Sequence, residues 1–302
     1  MQTVLLINPG SVNRYIHQAG GWTDSVFVWL IQRFWDSRFS LQPHGRCTTM
    51  PPVTLMAIGR LFEQRGWRTI LVDEQVERVD FSLEPDLVCI TATTTQYDRA
   101  AYISSYFRDK GVTTVIGGTH ATALPHDCGN DFDAVCVGEA ENVIDDMLRD
   151  FCAGELQGTY RSGEPVSMED VPFFRPGFHS GRHLPFHPVA FSRGCPYGCD
   201  FCSIRTAQGT SHRTRSIQSV VEHIKRSGEK SIWFTDAALT GNRERARRLF
   251  EALIPLDINW LSSVPFDVCM DESMVDLMAE SGCWLVSVGF ETLNEAYLQD
   301  VG

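Results

Sequence analysis

The sequence predicts an α/β protein with two successive sets of strand–helix units. Short apolar runs alternate with segments of helical periodicity, and a stretch rich in glycine and proline separates the earlier set from the later one. The length of 302 residues is enough for two domains of ordinary size. We therefore expect a Rossmann-like parallel sheet over residues 1–151, a linker over 152–186, and a partial (β/α) barrel of the TIM type over 187–302.

The first set contains five apolar runs that read as buried strands, at residues 3–7, 69–72, 86–91, 113–118 and 134–138. Helices are expected at 53–65, where apolar residues recur at helical spacing, and near 99–108 and 142–151. This alternation favours a parallel sheet covered on both faces, whose ligand crevice lies at the carboxyl ends of the strands. No G-x-G-x-x-G or P-loop is present, so a nicotinamide or nucleotide triphosphate site is poorly supported.

Residues 10–50 interrupt this pattern as an aromatic-rich insertion. We expect its aromatic side chains to pack over the sheet edge. The alternative is an amphipathic piece in peripheral contact with a membrane surface. The aromatic residues are Trp22, Phe27, Trp29, Phe34, Trp35 and Phe39.

The second set predicts four strands, at residues 188–191, 231–235, 259–264 and 284–290. Helices are expected between them at 217–227, 243–253 and 272–280. Successive βα units with short loops indicate a right-handed parallel barrel or partial barrel, with chemistry at the strand carboxyl ends.

Three cysteines lie on one short loop after the first strand of the second set. Cys195, Cys199 and Cys202 form a C-x-x-x-C-x-x-C cluster. Three thiolates can hold three irons of a [4Fe–4S] cluster and leave the fourth iron open. A structural zinc site usually has a second ligand pair, and no second C-x-x-C follows. A disulfide framework is disfavoured in a chain of this size without an export signal.

This spacing, with Phe201 just before the last cysteine, resembles the signature loop of radical S-adenosylmethionine (SAM) enzymes. The resemblance implies that the open iron binds SAM and that an electron from the cluster cleaves SAM to a 5′-deoxyadenosyl radical. It also implies SAM contacts for Phe201, Asp236 and Glu291. Arg213 and Arg215 are candidates to contact either the SAM carboxylate or a propionamide edge of the corrin. Barrels of this family usually have six strands, so four strands imply a truncated barrel or one completed by a partner.

Residues 1–150 resemble the cobalamin-binding domain found ahead of the radical SAM domain in one subclass. The resemblance rests on PPVTLMAIGRLFEQRG, DLVCITATTTQ, VIGGTHATALP and AVCVGEAE. It implies that the corrin lies on the strand ends and that its nucleotide tail passes into the sheet. The D-x-H-x-x-G motif of cobalamin mutases and methionine synthase is absent, so a histidine ligand to cobalt is not expected. The implied cobalamin contacts are Asn8, Thr91, Thr93, Gly117, Gly118, His120, Gly138 and Glu139.

Within this subclass, WFTDAALTGN and VGFET resemble the hopanoid-methylase and protoporphyrin-ester-cyclase branch. The resemblance implies methyl transfer to an unactivated carbon through methylcobalamin and the 5′-deoxyadenosyl radical. Two alternatives stay open: radical oxidation or cyclisation without methyl transfer, and a non-catalytic remnant that binds cobalamin or a cluster. The implied partners are a small-molecule or lipid-like substrate and an electron donor such as flavodoxin or ferredoxin.

Composition limits the remaining function classes. The chain is 43% hydrophobic and 21% charged, as in globular proteins with a large core, and its net charge of −12 disfavours wholesale binding to nucleic acid. The first residues lack the charged start of a signal peptide, and no apolar stretch approaches the length of a membrane span. Ten cysteines without an export signal favour the reducing cytoplasm.

Overall fold

The structure is a computed structural model that describes residues 1–10, 50–174, 183–289 and 291. Within these residues it contains two parallel sheets and one short antiparallel ribbon. The predicted α/β class is therefore confirmed.

The first sheet has six parallel strands. They are β1 (Thr3–Asn8), β2 (Arg68–Asp73), β3 (Leu87–Thr91), β4 (Thr113–Gly117), β5 (Ala134–Val137) and β6 (Thr159–Arg161). Their order is β2-β1-β3-β4-β5-β6. The accompanying helices are α1 (Val53–Gln64), α2 (Tyr97–Asp109), α3 (Thr119–Ala123), α4 (Pro125–Cys128) and α5 (Ile144–Ala153), with 3₁₀ turns at Thr94–Gln96 and Ala140–Asn142.

Strand β1 shows why the sheet has a core on each face. Its four central residues, Val4 to Ile7, are fully buried. Val4 and Leu6 pack with side chains of α1 and α5, whereas Leu5 and Ile7 pack with side chains of α2. Successive side chains of a strand point to opposite faces, so a continuous apolar run suits a sheet that is covered twice.

The second sheet contains four of the remaining strands. In chain order, the elements are β7 (His187–Val189), β8 (Ser192–Arg193), α6 (Ile204–Gln208), β9 (Arg213–Thr214), α7 (Ile217–Ser227), β10 (Ser231–Phe234), α8 (Arg243–Leu253), β11 (Asn259–Pro265), α9 (Glu272–Glu280) and β12 (Cys283–Gly289). Further 3₁₀ turns lie at Ile254–Leu256 and Phe266–Met270. The sheet order is β12-β11-β10-β7, all parallel, as expected for part of a barrel.

Helices α7, α8 and α9 cover one face of this second sheet. The core between them centres on Trp260 of β11, whose ring stacks on Phe250 of α8 at 5.0 Å between centroids. The indole Nε1 of Trp260 donates to the carbonyl oxygen of Ser281 at 3.1 Å, so its polar atom is satisfied although it is buried. This core fixes the strand ends on which the cysteine loop rests.

Strands β8 and β9 form the antiparallel ribbon, with residue pairs Ser192–Thr214 and Arg193–Arg213. The chain between them, residues 194–212, carries the three clustered cysteines and helix α6. The ribbon is therefore the neck of the cysteine loop.

The segment 152–186, predicted as a linker, differs from a plain connection. Strand β6 lies within it and pairs in parallel with β5. Val166, Met168 and Val171 are buried and pack with Ala190. The sequence prediction missed this strand because three residues between glycines and prolines give no usable periodicity.

The aromatic-rich insertion predicted at 10–50 lies almost wholly outside the described residues, so its packing and membrane roles stay predictions. Among the helices that the structure describes, none is long and apolar enough to cross a membrane.

Candidate functional site

A cavity of about 240 Å³ opens at the carboxyl ends of β3, β4 and β5. Apolar side chains of α1, α5 and the sheet form much of its wall, among them Leu6, Phe62, Val115 and Met147. The other side of the cavity is lined by residues that flank the cysteine loop, belong to α6 or follow β10. These are Ala190, Ser192, Arg193, Ala207, Gln208 and Thr235. Both sheets therefore contribute to one cavity.

Five of the eight residues predicted to contact cobalamin line this cavity: Thr91, Gly117, Gly118, Gly138 and Glu139. They come from three neighbouring strand ends, as expected for the crevice of a parallel sheet. Whether they contact cobalamin stays a prediction.

Gly118 has a conformation and surroundings that other residues do not tolerate. Its φ is +97°, and a Cβ there would lie 2.7 Å from Oγ1 of Thr91 and 2.8 Å from the carbonyl oxygen of Ala92. Gly117 differs, because a Cβ there would meet Cβ of Cys136 at an ordinary 3.7 Å. The turn therefore requires glycine at position 118, whereas position 117 has room for a side chain next to the cavity.

Asn8 and Thr93 do not line the cavity, and both belong to a hydrogen-bond network around Gln96. Asn8 accepts from Nε2 of Gln96 at 3.0 Å and donates to Oδ1 of Asp73 at 2.9 Å. The backbone N–H of Thr93 donates to Oε1 of Gln96 at 2.9 Å. These contacts hold the loops after β1 and β3 together at the same edge of the sheet.

His120 is buried beside the cavity and is not among the residues that line it. Its ring lies 4.3 Å from the ring of Tyr97, and its Nδ1 is 3.3 Å from Oγ1 of Thr94. The imidazole is thus held within the fold by neighbouring side chains. The expectation that His120 does not ligate cobalt stays a prediction.

The cysteine loop brings Cys195, Cys199 and Cys202 onto one irregular turn. The N–H of Cys202 donates to the carbonyl oxygen of Cys199 at 3.1 Å, and all three thiols are free and half-buried. Burial raises the pKa of Cys195, and the two neighbouring thiols raise it further. Among the described residues, no group of His, Cys, Asp and Glu is arranged to hold a single metal ion. Three thiols on one loop fit an iron–sulfur cluster, in which each thiolate binds a different iron.

Asp236, predicted as a SAM contact, holds the strand that leads into the cysteine loop. Its carboxylate accepts from the N–H of Phe191 at 3.1 Å and from the N–H and hydroxyl of Ser192. The side chain is buried, and this burial raises its pKa to about 6. The structure therefore gives Asp236 a supporting position beneath the neck of the loop.

Arg213 and Glu139 were predicted to contact SAM and cobalamin, respectively, and the structure pairs them with each other. Nη1 and Nη2 of Arg213 donate to the two carboxylate oxygens of Glu139 at 2.8 and 3.1 Å. Burial alone would raise the pKa of Glu139, but the bonds from Arg213 and Val166 and the charge of Arg193 hold it below its usual value. The pairing spans 74 residues of sequence, and local patterns do not reveal it.

Arg215 is also engaged within the fold. Its Nε donates to the carbonyl oxygen of Ala190 at 2.9 Å, and its guanidinium stacks 4.1 Å from the centre of the Phe173 ring. Burial, together with the charge of Arg193, lowers the pKa of Arg215 to about 10. Only 2% of Arg215 is exposed, and a contact between Arg215 and SAM stays a prediction.

Phe201 and Glu291 remain accessible. Phe201 lies on the cysteine loop and is 59% exposed. Glu291 follows β12 with a φ of 50° and is exposed. Both keep the side-chain freedom that a ligand contact needs.

Sequence reasoning missed two charged residues of the site, Arg193 and Glu141. Their side chains are joined by a hydrogen bond of 2.7 Å between Nη2 and Oε1, and both line the cavity. A signal was present: Arg193 comes two residues before Cys195, and Glu141 two residues after Glu139.

Two family models match the chain. The B12 binding domain matches residues 47–148, and the radical SAM superfamily matches residues 189–302. The first match covers the strand ends of the cavity, and the second begins at the strand that leads into the cysteine loop. The chain therefore carries a B12 binding domain followed by a radical SAM domain, which is the domain pair of cobalamin-dependent radical SAM enzymes.

The chain is similar in sequence to curated methyltransferases. Bacteriochlorophyllide d C-12(1)-methyltransferase of Chlorobaculum tepidum is 28% identical over 227 residues, which cover 72% of this chain and 50% of that protein. Hopanoid C-2 methylase of Rhodopseudomonas palustris is 23% identical over 269 residues, which cover 83% of this chain and 50% of that protein. The chain thus spans about half the length of these relatives.

A solved structure shares the fold. The radical SAM methyltransferase TsrM of Kitasatospora setae, determined with cobalamin and a [4Fe–4S] cluster bound, matches with a TM-score of 0.71 and 17% identity. The match covers 99% of this chain and 62% of TsrM.

The residues of this chain fit the cofactors of the family, which are a [4Fe–4S] cluster, SAM and cobalamin. Three free thiols on one loop suit an open cluster. A cavity of about 240 Å³ with apolar walls and glycine at its rim suits an apolar part of a larger ligand that approaches the backbone closely.

Proposed function

We propose that this chain catalyses methyl transfer to an unactivated carbon of a small-molecule or lipid-like substrate. One observation carries the proposal: a single cavity is lined both by the strand ends of the cobalamin-binding sheet and by residues that flank the cysteine loop. A reaction that uses two cofactors gains from adjoining sites, because held reactants need no diffusive encounter. The names of the curated relatives, which are methyltransferases and methylases, support this choice of reaction.

The three clustered cysteines would hold the iron–sulfur cluster, and the cavity would hold cobalamin. When bound, the cluster supplies the electron that cleaves SAM, and cobalamin supplies the carrier for the methyl group. The chain's own contribution is placement and exclusion of water. Phe62 and Val115 form a dry wall, and Gly117 keeps that wall open for the ligand.

Two exposed residues are proposed to contact SAM. The carboxylate of Glu291 would accept hydrogen bonds from a SAM amino or hydroxyl group at the end of β12. The ring of Phe201 would pack beside the bound nucleoside, next to the cysteine that follows it. Asp236, Arg213 and Arg215 would support the site from below through the contacts described above.

We also propose a reduced one-electron carrier such as flavodoxin or ferredoxin as the electron donor, and the cytoplasm as the setting. All nine cysteines within the described residues are free thiols, which supports a reducing environment.

The proposal is tested with anaerobically purified protein reconstituted with iron, sulfide and hydroxocobalamin. Incubation with SAM and a low-potential reductant should yield S-adenosylhomocysteine, the product left after a methyl group departs, and also 5′-deoxyadenosine. Deoxyadenosine without S-adenosylhomocysteine would favour oxidation or cyclisation. Neither product from fully loaded protein would favour a non-catalytic remnant. Cys269→Ala, which removes an exposed thiol outside the loop, is the matched control for cysteine variants.

A further inference from the structure

Four charged side chains join the two sheets beside the cavity. Glu139 and Glu141 follow β5 of the first sheet, whereas Arg193 lies on β8 and Arg213 on β9, the two strands of the ribbon. We call these four residues the interdomain network. Arg193 bridges both glutamates, with Nη1 at 3.1 Å from Glu139 Oε1 and Nη2 at 2.7 Å from Glu141 Oε1. Arg213 binds Glu139 through both nitrogens of its guanidinium fork.

On one side, the network forms part of the cavity wall. Glu139, Glu141 and Arg193 all line it. Any ligand in the cavity therefore meets these charges or changes the water around them. Glu139 also accepts from the N–H of Val166 at 2.8 Å, which ties the network to the segment after β6.

On the other side, the network contacts the cysteine loop. Arg193 comes directly before Gly194, and Arg213 donates to the carbonyl oxygen of Gln208 at 2.9 Å. The side chain of Gln208 in turn accepts from the N–H of Gly194 at 3.1 Å. Both ends of the loop are thus fixed by residues that touch the network.

The neck of the loop is tightly packed at Gly194. Gly194 has a φ of +81°, and a Cβ there would lie 2.2 Å from the carbonyl oxygen of Ser211. The N–H of Cys195 points to the carbonyl oxygen of Gly209 across this neck. We therefore expect a shift of the network to move the cysteines as well, because tightly packed groups transmit displacements to their neighbours.

The charges of the network are largely removed from water. The side chains are 20% exposed for Arg193, 13% for Arg213, 11% for Glu139 and 9% for Glu141. Ion pairs at such depth are screened little, and removal of one partner leaves a costly unpaired charge. The network therefore favours one arrangement of loop and cavity.

We propose that the interdomain network couples the two cofactor sites, so that cobalamin in the cavity and the cluster on the loop strengthen each other's binding. The inference rests on the proposed function in taking cobalamin as the ligand of the cavity and the three cysteines as the ligands of the cluster. Coupling of this kind is reciprocal, and typical factors between two sites are about 5- to 150-fold. Glu139, which binds both arginines, is the positioning residue at the centre.

The test measures the dissociation constant of hydroxocobalamin by absorbance. The full chain with a reconstituted cluster is compared with the full chain without one. We expect the cluster to tighten cobalamin binding about tenfold in the unchanged chain, and Glu139→Gln to abolish that factor. The matched control is Glu74→Gln. Glu74, whose side chain is about as buried as that of Glu139, forms a bidentate pair with Arg99 at 2.6 and 2.9 Å, but within the first sheet domain and away from the loop.

Release of iron to a chelator gives a second readout that does not depend on activity. Cobalamin should slow it in the unchanged chain and in Glu74→Gln, but not in Glu139→Gln. Arg213→Lys keeps the positive charge but loses the two-pronged guanidinium contact with Glu139, so it should lower the coupling factor below about threefold. This variant replaces Glu139→Gln in the test if Glu139→Gln does not fold.

The inference is overturned if the cluster leaves cobalamin affinity unchanged, if Glu139→Gln keeps the tenfold factor, or if Glu74→Gln loses it equally. A chain that binds both cofactors without coupling overturns this inference and leaves the proposed function standing. A chain that binds neither cofactor overturns both.

Discussion

The cavity and the cysteine loop adjoin each other, yet they are held by different means. The cavity wall consists of side chains on regular strands and helices, such as Leu6, Phe62 and Met147, which are 0–4% exposed. The cysteine loop is irregular, its thiols are half-buried, and its neck is fixed by charged side chains. The cavity is therefore part of the hydrophobic core, whereas the position of the loop depends on a few polar contacts.

This difference predicts two classes of variant. Changes in the cavity wall should alter folding and cobalamin binding together, because the wall is also core. Changes in the loop should alter iron content with little effect on folding, because half-exposed thiols contribute little packing.

The largest effect is expected for the cysteines. Replacement of Cys195, Cys199 and Cys202 together by Ala should reduce bound iron from about four per chain to nearly none, because no thiolate of the loop remains. The unfolding midpoint of the iron-free protein should change little. Iron analysis and thermal unfolding check these outcomes, with Cys152→Ala and Cys269→Ala, two exposed thiols elsewhere, as controls. Full iron in the triple variant would disprove the assignment.

The second largest effect is expected for the two neighbouring glycines of the cavity, whose replacement by Ala should change stability to different degrees. Gly118→Ala should destabilise the protein by about 3 kcal/mol or more, because the new methyl group meets backbone atoms and the φ of +97° is strained for Ala. Gly117→Ala should cost less than about 1 kcal/mol, since its methyl group finds ordinary contact distances, but it should weaken cobalamin binding. Denaturant unfolding and cobalamin titration separate the two. Equal stability of both variants would contradict the described turn.

A smaller effect is expected at Asp236. Its folded pKa of about 6 lies above the ordinary 3.8 because the group is buried, so the folded state binds this proton more tightly than the unfolded state. The contribution of Asp236 to stability should therefore be greatest below about pH 4 and decrease as the pH rises to about 6. Asp236→Asn should flatten this part of the stability profile and cost about 1–2 kcal/mol through its weaker bonds to Ser192. An unchanged profile between pH 4 and 6 would show that Asp236 does not titrate there.

The elements that sequence patterns predicted well are those with local signals. Strand β1 was evident from an uninterrupted apolar run, and helix α8 from its apolar spacing over Arg243–Leu253, which the structure matches at both ends. The assignment of the three cysteines to a cluster stays a prediction, and it too rests on a local signal, their spacing within eight residues. In each case the deciding residues are close together in sequence.

The elements that were missed depend on contacts between distant residues. Strand β6 has three residues and exists because β5 offers an edge for pairing. The pairing of Arg213 with Glu139 exists because two domains meet there, and from sequence either residue is equally suited to bind a ligand. Tertiary packing decides such contacts, and a single sequence does not encode it in any local pattern.

The central claim is that the cavity and the cysteine loop form one site, and magnetic interaction between their cofactors tests it most directly. Protein loaded with cobalamin as Co(II) and with the cluster is examined by electron paramagnetic resonance before and after reduction of the cluster, at a potential that leaves Co(II) in place. Adjoining sites predict that the reduced cluster broadens the Co(II) signal or shortens its relaxation time, and that the triple cysteine variant shows no such change. A Co(II) signal with the same line shape and relaxation in the presence of the reduced cluster would contradict the shared site.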